Sequence, residues 1–467
     1  MSLTNNLSDK WDVKPLGEAC KTIKGKKPKN TGPASTERTV PYINIKAFES
    51  GQPEEFAAPG DYPTCERDDV LIVWDGARAG LSGRAVPGYI GSTLAKVYSD
   101  VADNRYLFYF LQSQYGRINS RTKGVGIPHV DPTIFNNIPF PIASEDRQQR
   151  IVAEIEKQFS RLDEAVAGLK RVKANLKRYK AAVLKAAVEG KLTEDWRKQH
   201  PDVEPAGKLL ERILAERRAK WTGRREYREP AALDTSALPD LPDRWGWATM
   251  PQLGELNRGK SKHRPRNDPK LFGGPYPFIQ TGDVKRSGGF VRSHNQTYNE
   301  SGLAQSRLWP AGTLCITIAA NIAETGILTY PACFPDSVVG FLFDGAPATV
   351  RFIDLFFRTE REEIARVAPA TAQKNINLEI LSEVAIPLPP LEEQKQIVAE
   401  VEGRLSVLEK LEVAVEANLT RADRLRQAIL ARAFAGKLVN SALKKTPDVS
   451  YDFPIAAESP STYRATR

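Results

Sequence analysis

The stretch Gln148–Leu192, QQRIVAEIEKQFSRLDEAVAGLKRVKANLKRYKAAVLKAAVEGKL, returns 246 residues later as Gln394–Leu438, QKQIVAEVEGRLSVLEKLEVAVEANLTRADRLRQAILARAFAGKL. The two align without a gap, and 15 of the 45 paired positions are identical. In the first copy Ile151, Ile155, Phe159, Leu162, Val166, Leu169, Val172, Leu176, Val183 and Ala187 recur at threes and fours or their sums. In the second, Ile397, Val401, Leu405, Leu408, Val415, Leu419, Ala422, Leu425, Ile429 and Ala433 do the same. A stripe sustained over several heptads, with Lys, Arg and Glu between, is the pattern of a coiled-coil seam. At 1.5 Å per residue each helix is roughly 65 Å long. So narrow a stripe has to bury against a partner, and the simplest partner is its own duplicate. Both copies end at Gly-Lys-Leu, where the glycine serves as a C-cap. Two amphipathic helices in separate globular cores are the competing arrangement, which the length and narrowness of the stripe disfavour.

The repeat reaches outward from the helices. Each copy follows a proline-punctuated run, IPFPI at Ile138 and IPLPP at Ile386. Further upstream the echo is fainter: KWDVKPLGEACKTIKGKKPKN from Lys10 against RWGWATMPQLGELNRGKSKHRPRN from Arg244, and VLIVW at Val70 against TLCITIAAN at Thr313. An aromatic segment precedes each helix, YLFYFLQSQYG from Tyr106 and RFIDLFFRTE from Arg351. Short β-rich runs broken by Gly, Pro and Asn describe mixed α/β globules. The predicted fold is therefore mixed α/β, with two globules separated by two long helices that form an antiparallel coiled coil, related by an internal pseudo-two-fold repeat. The segments are a first globule at 1–141, a long helix at 142–192, a central helical linker at 193–243, a second globule at 244–389, a second long helix at 390–438 and a tail at 439–467.

Composition narrows the function classes. Hydrophobic residues make up 41% of the 467 and charged residues 27%, as in a globular chain with much helical surface. No apolar run approaches the roughly 18 residues of a membrane span, and MSLTNNLSDKW has no signal-peptide pattern. Cys20, Cys65, Cys315 and Cys333 are scattered, which argues against a zinc knuckle or disulfide framework and for the cytoplasm. The net charge of +10 suits a polyanionic partner.

Catalytic motifs fail on context. Gly254–Ser261 matches G-x-x-x-x-G-K-S, but the next residues, KHRPRNDPK, carry Pro265 and Pro269 and cannot begin the helix a phosphate loop requires. The four histidines lie far apart, and no serine-nucleophile elbow or dinucleotide turn is present. Nothing resembles an active site, and no cofactor is expected on this chain.

The basic clusters are themselves duplicated. Lys21, Lys24, Lys26, Lys27 and Lys29 surround Gly25; Arg258, Lys260, Lys262, Arg264 and Arg266 surround Gly259. A lone cluster of this kind is usually a solvated loop, but recurrence at equivalent positions points to phosphate contacts, which give affinity and register. Sequence reading needs side chains aimed at base edges. Candidates are Arg78, Asn321 and Gln373-Lys374-Asn375, with Arg121, Lys123 and His129 in the first-half counterpart RTKGVGIPHV.

Together these features resemble the specificity subunit of a type I restriction–modification system over about Trp11 to Leu438. The resemblance rests on IPLPPLEEQKQIVAEVE from Ile386, on LKAAVEGKLTEDWR at Leu184 and LARAFAGKL at Leu430, and on W-x-V-x-x-LGE at Trp11. The first helix start departs, since IPFPIASEDRQQR has no Glu-Gln pair. The resemblance implies two target recognition domains, each reading half of an asymmetric double-stranded DNA site, with the helices setting the gap. It also implies two methyltransferase subunits and two restriction–translocase subunits as partners, which bring S-adenosylmethionine, ATP and Mg2+. A coiled-coil scaffold with protein-binding globules is the second reading.

Overall fold

The computed structural model describes residues 11–124, 126–223, 226–319, 321–366 and 376–439. The chain divides into two compact units, Met1–Leu169 with Ala417–Arg467, and Lys170–Glu416.

In the first unit the elements run β1 (Asp12–Pro15), β2 (Lys21–Lys24), β3 (Val70–Val73), β4 (Ser82–Arg84), β5 (Leu94–Tyr98), α1 (Asn104–Asn119), α2 (Pro132–Asn136), β6 (Pro139–Ile142) and the start of α3 (Glu145–Val188). The main sheet is antiparallel in the order β2-β5-β3-β4. Its central strand, VLIV, is buried at all four positions because a core lies on each face. Val70 and Ile72 join the cluster under α1, while Leu71 and Val73 join a second cluster with Ile43 and Leu94. A second sheet of five short strands, built from residues 31–90, flanks it. The strand β1 pairs antiparallel with β6, Asp12 opposite Ile142, which brings the start of the globule to the start of its long helix. A two-stranded ribbon tolerates the prolines of PFPI because few ladder donors are needed.

The second unit repeats this plan. After the rest of α3 come α4 (Ala206–Ala219), β7 (Gly246–Ala248), β8 (Glu255–Arg258), β9 (Phe290–Val291), β10 (Leu314–Thr317), β11 (Thr325–Leu328), β12 (Val338–Leu342), α5 (Pro347–Arg366), α6 (Leu378–Glu383), β13 (Ile386–Leu388) and α7 (Leu391–Phe434). The sheet order is β8-β12-β10-β11-β9, the first unit's order with one parallel strand added at the edge. The pairing of β7 with β13 matches that of β1 with β6. The stretch read as a linker supplies α4, whose Ala206, Leu209 and Ile213 are buried with Met250 and Leu253.

Each unit holds a pair of helix segments. In the first, Ile151, Ile155 and Phe159 of α3 share a core with Ile429, Ala433 and Phe434 of α7. There Arg426 lies over the Phe159 ring at 4.4 Å and pairs with Asp163. In the second, Arg404 donates to Tyr179 at 3.4 Å and Lys173 pairs with Glu416 at 2.6 Å. Early α3 meets late α7 in one unit, and late α3 meets early α7 in the other, so the pairing is antiparallel in both. The helices begin at Glu145 and Leu391 and end at matched caps. Gly190 and Gly436 both take φ of 71°, with Lys191 N–H donating to Ala186 O and Lys437 N–H to Arg432 O. The predicted seam is not buried throughout: Val172 and Leu425 are about half exposed. In the second unit Val172, Tyr179, Val407 and Leu411 line an open apolar groove of about 610 Å³.

All four cysteines are free and buried. Burial pushes the Cys20 and Cys65 thiols up to about 11, and raises Cys315 and Cys333 as well. Because the thiolate is the nucleophile, iodoacetamide at pH 8 is expected to leave the folded protein unlabelled and to modify all four thiols in guanidinium, as read by intact mass. No helix among the described residues is long and apolar enough to cross a membrane.

Candidate nucleic-acid interface

The two basic clusters begin on equivalent strands of their respective sheets. Lys24 ends β2, which pairs with β5, and Arg258 ends β8, which pairs with β12. The glycine that follows is pressed against the neighbouring chain in each. A Cβ at Gly25 would stand 2.2 Å from Gly91 O, and one at Gly259 would stand 2.3 Å from Pro335 O. Gly25 N–H donates to Leu94 O and Gly259 N–H to Val338 O, so each basic loop leaves its strand at a fixed angle. Replacing either glycine by alanine forces the backbone apart. We expect a stability loss of about 1–3 kcal/mol per site, read as a lower denaturant midpoint.

The candidate side chains fall into two groups. Lys26, Lys27, Lys29, Arg258, Lys260 and Lys262 are exposed and make no ion pair among the described residues. The others are held. Lys24 pairs with Asp75 at 2.7 Å, Arg78 with Glu49 at 2.5 Å and Lys123 with Asp131 at 3.0 Å. Arg266 pairs with Asp336 at 2.7 Å, and Arg264 reaches the same carboxylate at 4.0 Å while donating to Ser261 O. Lys123 and backbone N–H groups hold the Asp131 carboxyl below its usual range against a desolvation that raises it. Asn321 accepts from Lys285 at 3.1 Å.

Several of these lie at one end of the sheet in the first unit. Asp75, the partner of Lys24, bridges to His129, and His129 bridges in turn to Lys123. Val130 N–H donates to Trp74 O at 2.8 Å, fastening this loop to the end of β3. The second unit repeats the bond: Ile376 N–H donates to Ile318 O at 3.1 Å, just beyond β10. Ile376 lies 246 residues after Val130, so the RTKGVGIPHV loop and the stretch containing Gln373, Lys374 and Asn375 occupy equivalent positions in the chain. Gln373, Lys374 and Asn375 themselves fall outside the described residues. Lys285 was not legible as a neighbour of Asn321, because 36 residues and no motif connect them.

The Gly254–Ser261 segment holds β8 and the turn at Gly259, and no helix begins at Lys260. Among the described residues, no group of three or more His, Cys, Asp or Glu is placed to hold a metal.

Comparison with known proteins places this arrangement. The family model described as the type I restriction modification DNA specificity domain matches residues 8–176 and 242–417. The chain belongs to that family. Both matches of the type I specificity domain cover one globule and most of the long helix after it. The MjaVIII specificity subunit of Methanocaldococcus jannaschii is 26% identical over 404 residues, spanning 82% of this chain and 84% of that one. The EcoDI specificity subunit of Escherichia coli is 25% identical over 360 residues, 74% of this chain and 72% of that one. A chain solved in work on assembly and conformational transition of the type I R-M system superposes with a TM-score of 0.63 at 21% identity, covering 92% and 99%. The HsdS subunit from Thermoanaerobacter tengcongensis gives a TM-score of 0.51 at 19% identity, covering 92% and 98%. These likenesses carry the fold, and the family carries the function, DNA sequence specificity.

Proposed function

We propose that each globule of this specificity chain reads one half of a bipartite, asymmetric duplex site, and that the long helices set the number of base pairs between the halves. One observation carries this reading: two sheets of the same strand order each launch a basic, glycine-pinned loop from the equivalent strand. Unpaired lysines suit phosphates, which carry no sequence, while ion-paired Lys24, Arg78 and Lys123 are oriented as base readers must be. The chain supplies recognition, and partner subunits supply chemistry. Methyltransferase subunits bring S-adenosylmethionine for adenine methylation, and restriction–translocase subunits bring ATP and Mg2+ for cleavage, two of each, in the cytoplasm. The apolar groove along the second unit's helix pair is a surface of the kind a partner subunit covers.

The test is methylome sequencing of cells carrying the chain with its methyltransferase partner. Modified adenines will define two unlike half-sites at one spacing. Duplexes with the gap lengthened or shortened by two base pairs will lose methylation; equal methylation at every spacing would sink the proposal. The scaffold reading instead predicts no sequence-specific methylation.

A further inference from the structure

The hairpin Lys123–His129 presents a side chain that the basic clusters do not account for. Lys123 N–H donates to His129 O at 2.9 Å and His129 N–H to Lys123 O at 2.8 Å. Gly124, at φ 101°, makes the turn, and a Cβ there would stand 2.4 Å from Ile127 O. Gly76 N–H donates to Pro128 O at 2.7 Å, so the turn after β3 holds the hairpin from one side. On this fastened backbone Ile127 keeps 69% of its surface exposed.

A scattered apolar side chain on a protein surface needs no explanation. Ile127 differs in its setting. Its loop is tied to its own strands and to the Asp75–Gly76 turn, and the hairpin is closed by Lys123 and shares His129 with the Lys24–Asp75 pair. On a duplex the apolar feature that distinguishes one base edge from another is the 5-methyl group of thymine in the major groove. We propose that Ile127 is a base-reading residue of the first unit and packs on a thymine methyl in its half-site. Fastening at Lys123, Pro128 and His129 suits this role, because a methyl contact has no hydrogen bond to align it and depends on placement alone.

This inference rests on the DNA reading above, and its test separates the two. The full chain in complex with its methyltransferase partner is titrated with duplexes of the methylome-defined site. Each thymine of both half-sites is replaced in turn by uracil, which removes only the methyl. With the wild-type chain, one thymine is expected to show an affinity loss of about fourfold, the worth of one buried methyl-sized group. With Ile127→Ala, affinity for the thymine duplex falls by at least that factor, the thymine–uracil difference at that position vanishes, and the salt dependence is unchanged. If Ile127→Ala leaves every thymine–uracil difference intact while specific binding persists, the inference fails and the DNA reading stands. If Ile127→Ala instead removes a 2-aminopurine brightening, with no thymine–uracil difference anywhere, the residue is an unstacking wedge and the inference also fails. A complex that binds no duplex specifically overturns both.

Discussion

Replacing Lys26, Lys27, Lys260 and Lys262 together by glutamine is expected to lower DNA affinity on the order of a thousandfold at 0.15 M salt. A protein neutralising Z phosphates shows an affinity that falls with salt at a slope of about −0.9Z. Four lost contacts therefore flatten the slope by about 3.6. Carried from 1 M, where the electrostatic term is small, down to 0.15 M, that is roughly three decades. The loss will be uniform over sequences, because phosphates carry no sequence, so the methylated site keeps its identity while occupancy drops. All four side chains are exposed, and thermal stability will stay within about 0.5 kcal/mol of the parent. Arg78→Ala is the contrast: it removes an oriented group and is expected to relax one position of one half-site with little change in salt slope. A quadruple variant that binds like the parent across a salt titration would show that the lysines only solvate their loops.

The long helices were legible because a buried seam constrains side-chain type at every third or fourth residue, and both copies face the same constraint. The globules were barely legible because most of what they share is backbone geometry. Val130 and Ile376 keep the same N–H bond to the strand end beside them, yet a backbone donor leaves no trace in residue identity. Gln148 and Gln394 are the exception in which a side chain preserves the register. Gln148 donates to Ala143 O at 2.8 Å and accepts from Asp103 N–H at 2.8 Å. Gln394 donates to Pro389 O at 2.8 Å and accepts from the Thr349 hydroxyl at 2.7 Å, each partner lying 246 residues on. The repeat therefore extends back to the start of α1 in the first unit and of α5 in the second, further than the aligned identities showed. The basic clusters were visible as runs, but which lysines are paired was not. Asp75 lies 51 residues from Lys24, and Glu49 lies 29 residues before Arg78. The linker was readable as helical, whereas the partners of α4, Met250 and Leu253, become neighbours only once the chain has folded.

Glu393→Ala is expected to destabilise the second unit by about 3–5 kcal/mol, which for a domain of this size is on the order of 10 °C in Tm. Glu393 is fully buried in the first turn of α7 and collects donors from three directions. The Thr193 hydroxyl donates at 2.7 Å, the Trp245 indole N–H at 2.9 Å, and the Arg197 guanidinium through Nη2 at 2.9 Å and Nε at 3.1 Å. Its carboxylate thus joins the end of the turn after α3, the start of the second globule and the start of α7, all within one unit. Truncation leaves Arg197, only 16% exposed, as a nearly buried charge with Gly190 O as its remaining acceptor. That stranded charge is what makes the loss large, since an intact buried pair adds little net stability while half of one is costly. Arg197→Ala should cost a similar amount by stranding the carboxylate, and the double variant should cost less than the two single losses summed. The first unit offers a natural comparison. The residue 246 positions before Glu393 is Arg147, which lies over the Trp11 ring at 5.0 Å, and the Trp11 indole N–H is buried without a hydrogen-bond partner among the described residues. Without the Glu-Gln pair, SEDRQQR offers the Trp11 indole no carboxylate like the one that Trp245 meets. Denaturant melts of the chain should show Glu393→Ala shifting the second unit's transition while the first unit's is unmoved. Additive losses in the Glu393–Arg197 cycle would show instead that the two residues stabilise the junction independently.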